Sequence, residues 1–283
     1  MTAIETLLAG LIDYAGLYPP ANLDMQAAVR NYLSYTHGEH REALGRFIVD
    51  LARLNELREV ASADMRDIQL SVIGTAASDW DQLPTHMRDG FAIESIEIKA
   101  RDSSEIEKVR KQIPTDLITY FEVPVNADDS SLAAISDAGA RAKIRMGGLA
   151  AEAFPEAHAV VAMIKSLAAK HISFKATAGL HHPLRSVHPY TYEAGSPAGI
   201  MHGFVNLCCA ACIIHFGGDV AEAVEVLQEE DARAWRVLPD CLHWRSLCWR
   251  TDELREVREK FSISFGSCSF VEPIRDLEAM TWL

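Results

Sequence analysis

The segment Ala142-Lys143-Ile144-Arg145-Met146 alternates apolar and basic side chains, and three further segments repeat this pattern of alternation. They are Ile96-Glu97-Ile98-Lys99, Tyr120-Phe121-Glu122-Val123 and Phe174-Lys175-Ala176-Thr177. In a β-strand, alternate side chains lie on the same face. Each segment therefore predicts a strand with one apolar face and one face of charged or hydroxyl groups. If helices cover the apolar faces, the charged faces must look into an enclosed space, which is typical of an active site.

Outward from these four segments, apolar runs of strand length recur along the chain and alternate with amphipathic segments. The predicted strands are Leu11–Gly16, Gly45–Val49, Ile68–Gly74, Ser95–Ala100, Leu117–Val125, Ala142–Met146, Ile172–Ala176 and Ser262–Phe265. The predicted helices between them are Asp24–Tyr35, Leu54–Ala63, Ser103–Gln112, Ser130–Ala138 and Pro155–Lys170. Regular alternation of strand and helix predicts a parallel sheet. Eight such units favour an α/β fold of the (β/α)8 or TIM-barrel type over an open sheet.

A long segment separates the seventh predicted strand from the eighth, and we interpret residues 180–260 as a helical insertion. Within it, Ile200–Phe216 is apolar nearly all round and predicts a buried helix, whereas Ala221–Glu230 predicts an exposed one. Pro273–Leu283 predicts the last helix. We expect residues 1–283 to form a single barrel domain that contains this insertion.

The composition excludes several classes of protein. The hydrophobic fraction of 49% and the charged fraction of 24% are near the averages for globular proteins, and no apolar run is long enough for a membrane span. A formal net charge of -13 argues against nucleic acid or anionic membrane as a partner. The first residues lack a secretory signal, and the six cysteines do not have the spacing of a disulfide framework. We therefore expect a cytoplasmic protein, for which a homo-oligomer remains open.

In a TIM barrel, side chains near the C-terminal ends of the strands form the catalytic face. The strongest catalytic candidates are five charged residues of the central strands: Glu97, Lys99, Glu122, Lys143 and Lys175. The candidates for substrate binding on or just after the strands are Asp13, Tyr14, Arg145, Thr177, Gly179, Ser267 and Cys268. A purely structural barrel interior is filled with branched aliphatic side chains, so this wall of polar groups favours a function.

Cations outnumber carboxylates in this set, and two consequences follow. A lysine that is partly buried beside other cations is shifted toward its neutral amine, which is a nucleophile toward carbonyl groups. An excess of positive charge also attracts an anionic substrate, for which Arg145 offers the natural clamp. The glycines that follow the last three strands, Gly147-Gly148, Gly179 and Gly266, suit anion binding through backbone amides.

Histidines form another cluster. His181 and His182 follow the seventh strand, and His202 opens the apolar helix with Asn206 on the same face. We expect the three histidines to contact substrate; with an acidic residue, His181 and His182 also offer a metal site. The nearby lysines oppose a metal, so we expect none. Cys209-x-x-Cys212 has the spacing of metal ligands too, but its apolar surroundings favour a core position.

Lys143 in Ala142-Lys143-Ile144-Arg145 and Lys175 in Phe174-Lys175-Ala176-Thr177-Ala178-Gly179 resemble the lysine pair of the Schiff-base, or class I, aldolase barrels, including the deoxyribose-phosphate aldolases. In that family a lysine on the sixth strand forms an imine with the substrate and a lysine on the seventh strand perturbs it. The resemblance covers these two short segments. It implies that Lys143 forms the imine, that Lys175 or Lys99 favours its neutral amine, and that no cofactor is needed. Glu122 or Glu97 would then act as the general acid or base, which requires that its pKa is raised toward neutrality.

The leading hypothesis is an enzyme of the aldolase or lyase type that acts on a small anionic carbonyl or carboxylate compound. Three alternatives remain open. The same cations suit a phosphoribosyltransferase-like or other phosphate-binding barrel without a covalent step. His181 and His182 with an acid suit a metal-dependent hydrolase. A barrel that binds a ligand without turnover is the alternative outside catalysis.

Overall fold

The computed structural model describes residues 1–61 and 65–283, and eight parallel strands in it close into a barrel. The barrel strands are β1 (Ile12–Tyr14), β2 (Leu44–Asp50), β3 (Gln69–Thr75), β4 (Ala92–Lys99), β5 (Ile118–Val123), β6 (Arg141–Arg145), β7 (Phe174–Thr177) and β13 (Ser262–Ser267). Around the barrel the strands run in chain order from β1 to β7, and β13 closes the ring between β7 and β1. The predicted TIM barrel is confirmed, and each of the eight predicted strands overlaps one barrel strand.

Helices follow the strands on the outside of the barrel. They are α1 (Ala3–Leu8), α2 (Met25–Thr36), α3 (Leu54–Ala61), α4 (Leu83–Arg88), α5 (Ser103–Arg110), α6 (Asp129–Asp137), α7 (Ala157–Ala169), α8 (Phe204–His215), α9 (Val220–Gln228), α10 (Thr251–Lys260) and α11 (Val271–Ala279). Aspartates at 24, 102, 128 and 219 accept hydrogen bonds from the first-turn amides of α2, α5, α6 and α9, as N-cap residues do. Residues 62 and 63 of the predicted helix Leu54–Ala63 lie outside the described residues. The sequence analysis did not predict the short helices α1 and α4, and within the insertion it did not single out α10.

The alternating pattern of the strands explains how the barrel packs. The apolar side chains of β4, β5 and β6 point outward, and Ile96, Phe121 and Ile144 are fully buried beneath the helices. Burying each such side chain contributes roughly 1.5–3 kcal/mol. The alternate positions of the same strands therefore face the barrel interior, and in this protein they carry charges.

The segment between β7 and β13 contains more than helices. A hairpin of β8 (Ser186–Pro189) and β9 (Ala198–Met201) precedes α8, and a three-stranded antiparallel sheet of β10 (Trp235–Val237), β11 (Cys241–Trp244) and β12 (Leu247–Arg250) follows α9. The helix α8 is buried along nearly its whole length and packs against α7, α9 and α10. Its cysteines, Cys208, Cys209 and Cys212, are core residues, as expected. In the described ranges, no helix combines the length and apolar character needed to cross a bilayer.

The exit of β7 has an unusual backbone. Ala178 and Gly179 both lie in the left-handed region, with φ of 61° and 68°. Gly179 also passes close to Gly147 after β6, and a Cβ atom at Gly179 would stand 2.7 Å from the Phe154 ring and 2.8 Å from the Gly147 Cα atom. At position 179 there is no room for a side chain, so a glycine is required there for both conformation and space.

We predict that Gly179→Ala destabilises the protein more than Gly139→Ala. Both glycines have positive φ, but a Cβ atom at Gly139 would meet nothing within 4 Å. Gly139→Ala should therefore cost only the left-handed strain, about 1–2 kcal/mol, and Gly179→Ala should cost a further 1–3 kcal/mol or so from overpacking. Urea unfolding of both variants measures the difference. Equal losses would contradict the close packing of the β7 exit.

Candidate active site

The register of the barrel strands brings the predicted charged residues together. Lys143 on β6 lies opposite Lys175 on β7, and Glu122 on β5 lies opposite Lys143 on its other side. Lys99 on β4 is opposite Glu122 in turn. Because neighbouring parallel strands share one interior face, their alternate side chains meet inside the barrel.

Glu97 on β4 joins the two lysines. Its Oε1 atom accepts a 2.6 Å hydrogen bond from Lys175 Nζ, and its Oε2 atom lies 2.8 Å from Lys143 Nζ. The Ser71 hydroxyl donates a further 2.6 Å hydrogen bond to Oε1, and Ser95 supports Ser71 from 2.8 Å. Glu97 and Lys175 are 1% exposed and Lys143 is 3% exposed, so this one carboxylate compensates part of the charge of two almost completely buried ammonium groups.

Asp13 at β1 holds Lys175 from the other side. Its Oδ2 atom accepts hydrogen bonds of 2.6 Å from Lys175 Nζ and 2.7 Å from the Ser264 hydroxyl, and its Oδ1 atom accepts one of 2.7 Å from the Arg46 amide. Gly45 makes this position possible, because a Cβ atom there would stand 2.3 Å from Oδ1. Lys175 is therefore fixed between two carboxylates.

Lys143 is held less firmly. Its Nζ atom lies 3.0 Å from Glu122 Oε2 as well as near Glu97, but in the described part of the chain no donor makes an aligned hydrogen bond to Glu97 Oε2. Arg145 donates two hydrogen bonds, of 2.9 and 3.1 Å, to the other oxygen of Glu122. This pair leaves Glu122 Oε2 facing Lys143. The Lys143 amine, in a residue that is only 3% exposed, thus lies between two carboxylates and has Glu122 as a nearby proton acceptor.

The electrostatics follow from these contacts. Burial alone raises the pKa of Glu97, but the ammonium groups of Lys143 and Lys175 outweigh it and hold that pKa far below its ordinary value. Burial likewise raises the pKa of Glu122, and Lys143 with Arg145 lowers it more, so neither glutamate has the raised pKa that was expected of a general acid or base. For Lys175, burial lowers the pKa, but Asp13 and Glu97 raise it above its ordinary value. Lys175 is therefore a permanent cation at neutral pH, contrary to the expected shift of a buried lysine toward the neutral amine.

A cavity of about 480 Å³ opens above this network. Eight of the predicted site residues line it: Lys99, Glu122, Lys143, Arg145, Thr177, Gly179, His181 and Cys268. Three of them are cations and one is a carboxylate, so the expected excess of positive charge is present on the cavity wall. Asp13, Glu97 and Lys175 form the layer beneath, where two carboxylates face one ammonium group.

Four predicted substrate-binding residues are elsewhere among the described residues. Tyr14 is buried, and its hydroxyl accepts a 3.3 Å hydrogen bond from the side-chain amide of Asn31. Ser267 is buried at the end of β13. His202 is buried and its Nε2 atom is 2.7 Å from the Pro155 carbonyl oxygen. His182 stacks on His188 and borders a separate surface cavity. These four residues do not border the cavity above the lysines, and their contacts with substrate stay a prediction.

His181, at the edge of the cavity, belongs to a hydrogen-bonded group with two residues that the sequence analysis did not identify, Glu272 and Tyr192. Its Nδ1 atom is 3.0 Å from Glu272 Oε2, which also accepts a 2.6 Å hydrogen bond from the Tyr192 hydroxyl. The same hydroxyl lies 3.5 Å from Cys268 Sγ. Tyr192 is on the insertion and Glu272 on α11, so no local pattern indicated that they would meet. His181 and His182 pair with different carboxylates, Glu272 and Asp276, instead of converging on one point.

Comparisons with known proteins indicate no family. No protein-family model matches the sequence, and no curated protein matches it. Among solved structures, a point mutant of FabK from Thermotoga maritima is 17% identical with a TM-score of 0.40, covering 65% of this chain and 59% of that chain. FabK from the same organism is 16% identical with a TM-score of 0.36, covering 65% and 56%. The chain spans less than two thirds of either structure, and the TIM-barrel assignment rests on its own strand order.

We predict that Glu97→Gln strongly destabilises the protein, whereas Glu94→Gln on the same strand does not. Removing the charge of Glu97 leaves two buried ammonium groups with less compensation, which should cost about 3–5 kcal/mol. Glu94 pairs at 2.8 Å with Arg46 but is 37% exposed, so its loss should cost about 1 kcal/mol or less. Urea unfolding of both variants at pH 7 measures the two costs. Similar small losses would show that Glu97 does not hold the network.

Proposed function

We propose that this protein is a cytoplasmic enzyme of the aldolase or lyase type that forms a Schiff base between Lys143 and a small anionic carbonyl compound. The observation that carries the proposal is the difference between the two lysines. Lys143 lines the cavity beside a carboxylate, whereas Lys175 is buried below it between Asp13 and Glu97. One amine is available to a substrate and the other supplies a fixed charge.

The first step of the proposed chemistry is proton transfer. Lys143 gives one proton to Glu122 Oε2, 3.0 Å away, and becomes a neutral amine. The amine adds to the carbonyl carbon of the substrate, and a proton passes from nitrogen to oxygen to give the carbinolamine. Glu122 then returns its proton to the hydroxyl group, which leaves as water, and a protonated imine remains on Lys143. Glu122 ends the sequence as the carboxylate with which it began.

The charges around Lys143 favour its cationic forms. Glu97 lies 2.8 Å from Lys143 Nζ and stabilises both the starting ammonium and the protonated imine. Transfer of a proton to Glu122, whose pKa is lowered by Lys143 and Arg145, is therefore the costly step of the sequence, and the protonated imine is its favoured product. Lys175 shares Glu97 with Lys143, which limits how strongly Glu97 can hold the Lys143 proton. Glu122 is positioned by Arg145 and reaches the cavity, so it is a better proton carrier than the buried Glu97.

An anionic substrate fits the cavity wall. Lys99 and Arg145 are exposed there, and one amino group of the Arg145 guanidinium remains beyond the two nitrogens that contact Glu122. Gly148, Gly179 and Gly266 border the same space and let a ligand approach the backbone. None of the six cysteines is in a disulfide bond, which is usual for cytoplasmic proteins.

Borohydride trapping tests the proposal. The protein is incubated with pyruvate, glyoxylate or glyceraldehyde 3-phosphate and then reduced with borohydride. We predict one covalent adduct per chain, which peptide mass spectrometry should locate at Lys143. Lys143→Met should abolish the adduct, because the nucleophile is gone. Lys165→Met, which removes an exposed lysine on α7, should leave it unchanged.

Two results would contradict this function. One is a panel in which no compound labels Lys143. The other is labelling spread over exposed lysines such as Lys165, which would indicate random surface chemistry.

A phosphate-binding barrel without a covalent step is the second candidate, and the three glycines at the cavity favour it. It predicts that phosphorylated sugars without a carbonyl group stabilise the folded protein, and that borohydride treatment does not reduce this stabilisation. The Schiff-base proposal instead requires the carbonyl.

A further inference from the structure

The small sheet in the insertion has a face that the barrel site does not use. In the β11–β12 hairpin, Leu242, Trp244 and Trp249 point inward and are at most 5% exposed. The alternate positions, Cys241, His243 and Cys248, share the opposite face. His243 lies directly across from Cys248, and Cys241 is two residues before His243 on the same strand.

The three side chains converge. Cys241 Sγ is 3.1 Å from His243 Nε2, and the ligand atoms of all three residues lie within 4.8 Å of one another. In residues 1–61 and 65–283, this is the one group of three or more histidine, cysteine or acidic side chains with such convergence. The two sulfurs and one imidazole nitrogen form a compact set on a surface where Cys248 is exposed to solvent.

These separations suit a tetrahedral zinc ion. With Zn–S bonds of about 2.3 Å and Zn–N bonds of about 2.0 Å, two ligand atoms on a tetrahedron lie roughly 3.5–3.8 Å apart. The distance of 3.1 Å between Cys241 Sγ and His243 Nε2 is slightly shorter than this range, and no pair of the three ligand atoms is more than 4.8 Å apart, so small side-chain rotations bring them into place. Two thiolates and a neutral imidazole are also ligands that zinc prefers over harder cations.

The hairpin is held firmly enough to serve as a site. The Asp240 carbonyl oxygen accepts hydrogen bonds of 3.0 Å from both the amide and the hydroxyl of Thr251, which begins α10. The neighbouring Pro239 carbonyl oxygen accepts one of 2.9 Å from Ala3 at the start of α1. In the turn, the backbone amide of Arg245 donates a 2.8 Å hydrogen bond to the Ala234 carbonyl oxygen. The ligand strands are thereby anchored to two helices of the barrel.

We propose that Cys241, His243 and Cys248 bind one Zn²⁺ ion through Sγ, Nε2 and Sγ, with the fourth position open to solvent beside Cys248. Binding releases the two thiol protons to solvent and oxidises nothing. The ion ties β11 to β12 at the outer face of the sheet, opposite the tryptophans. None of the described hairpin residues borders the barrel cavity, so the site is separate from the proposed chemistry at Lys143.

The test uses the full chain without an affinity tag, kept reduced and stripped of metal by a chelator. We expect one zinc ion per chain on titration with Zn²⁺ alone, and Co²⁺ should give the absorption of thiolate-bound tetrahedral cobalt. Cys248→Ser should lower zinc affinity at least about a hundredfold. The loss of a direct ligand should weaken binding at least as much as the loss of a residue that only hydrogen-bonds to a ligand. It removes an exposed side chain, so the variant should fold, and zinc should raise the Tm of the wild type but not of this variant.

His158→Ala is the control, since His158 is an exposed histidine on α7, and its zinc affinity should equal that of the wild type. Three results of the metal titrations would overturn the proposal. They are less than stoichiometric zinc in the reduced wild type, equal zinc affinity for Cys248→Ser and the wild type, or a cobalt spectrum without thiolate bands. A Cys241–Cys248 disulfide that persists in reductant would overturn it as well.

Discussion

A charged side chain inside a barrel needs a partner of opposite charge, because an uncompensated buried ion costs several kcal/mol. Lys143 and Lys175 lie on neighbouring strands, so two buried ammonium groups need carboxylate partners in the same part of the barrel. Glu97 meets both needs with a single carboxylate, and Asp13 and Glu122 each complete one side. The polar interior of β1, β4, β5, β6 and β7 is organised around that arrangement.

The network also separates the two lysines into different chemical roles. Lys175 makes two aligned hydrogen bonds of 2.6 Å and lies below the cavity, so it remains a cation. Lys143 faces the cavity and has Glu122 at 3.0 Å as a proton acceptor. In the proposed mechanism, a substrate in the cavity meets Lys143 as the nucleophile, while Asp13 and Glu97 compensate the charge of Lys175. The different contacts of the two lysines agree with the asymmetry that the proposed Schiff-base mechanism requires.

Much of this followed from the sequence through the period-two pattern of four segments. Alternation in Ala142–Met146 and Phe174–Thr177 places Lys143 and Lys175 on one face, and parallel pairing makes them neighbours. The pattern does not reveal partners from distant strands. Asp13 and Lys175 are 162 residues apart, and Ser264 and Asp13 are 251 apart. Their contacts depend on closure of the barrel, which brings β13 beside β1.

Loops were harder to predict for a physical reason. The exits that carry His182 and His202 are shaped by the insertion, whose strands of three or four residues are too short to show alternation. Cys241, His243 and Cys248 belong to such strands, and their convergence depends on a two-residue turn at Arg245 and Ser246. Side-chain direction in these segments follows from tertiary packing and not from local periodicity.

The central claim is that Glu97 and Lys175 form one buried, mutually dependent pair, and a double-mutant cycle with Glu97→Gln and Lys175→Met tests it most directly. Urea unfolding of the wild type, both single variants and the double variant gives the coupling free energy. The account predicts a coupling of about 1–3 kcal/mol, with the double variant less destabilised than the sum of the single ones. Losses that add to within about 0.5 kcal/mol would contradict it.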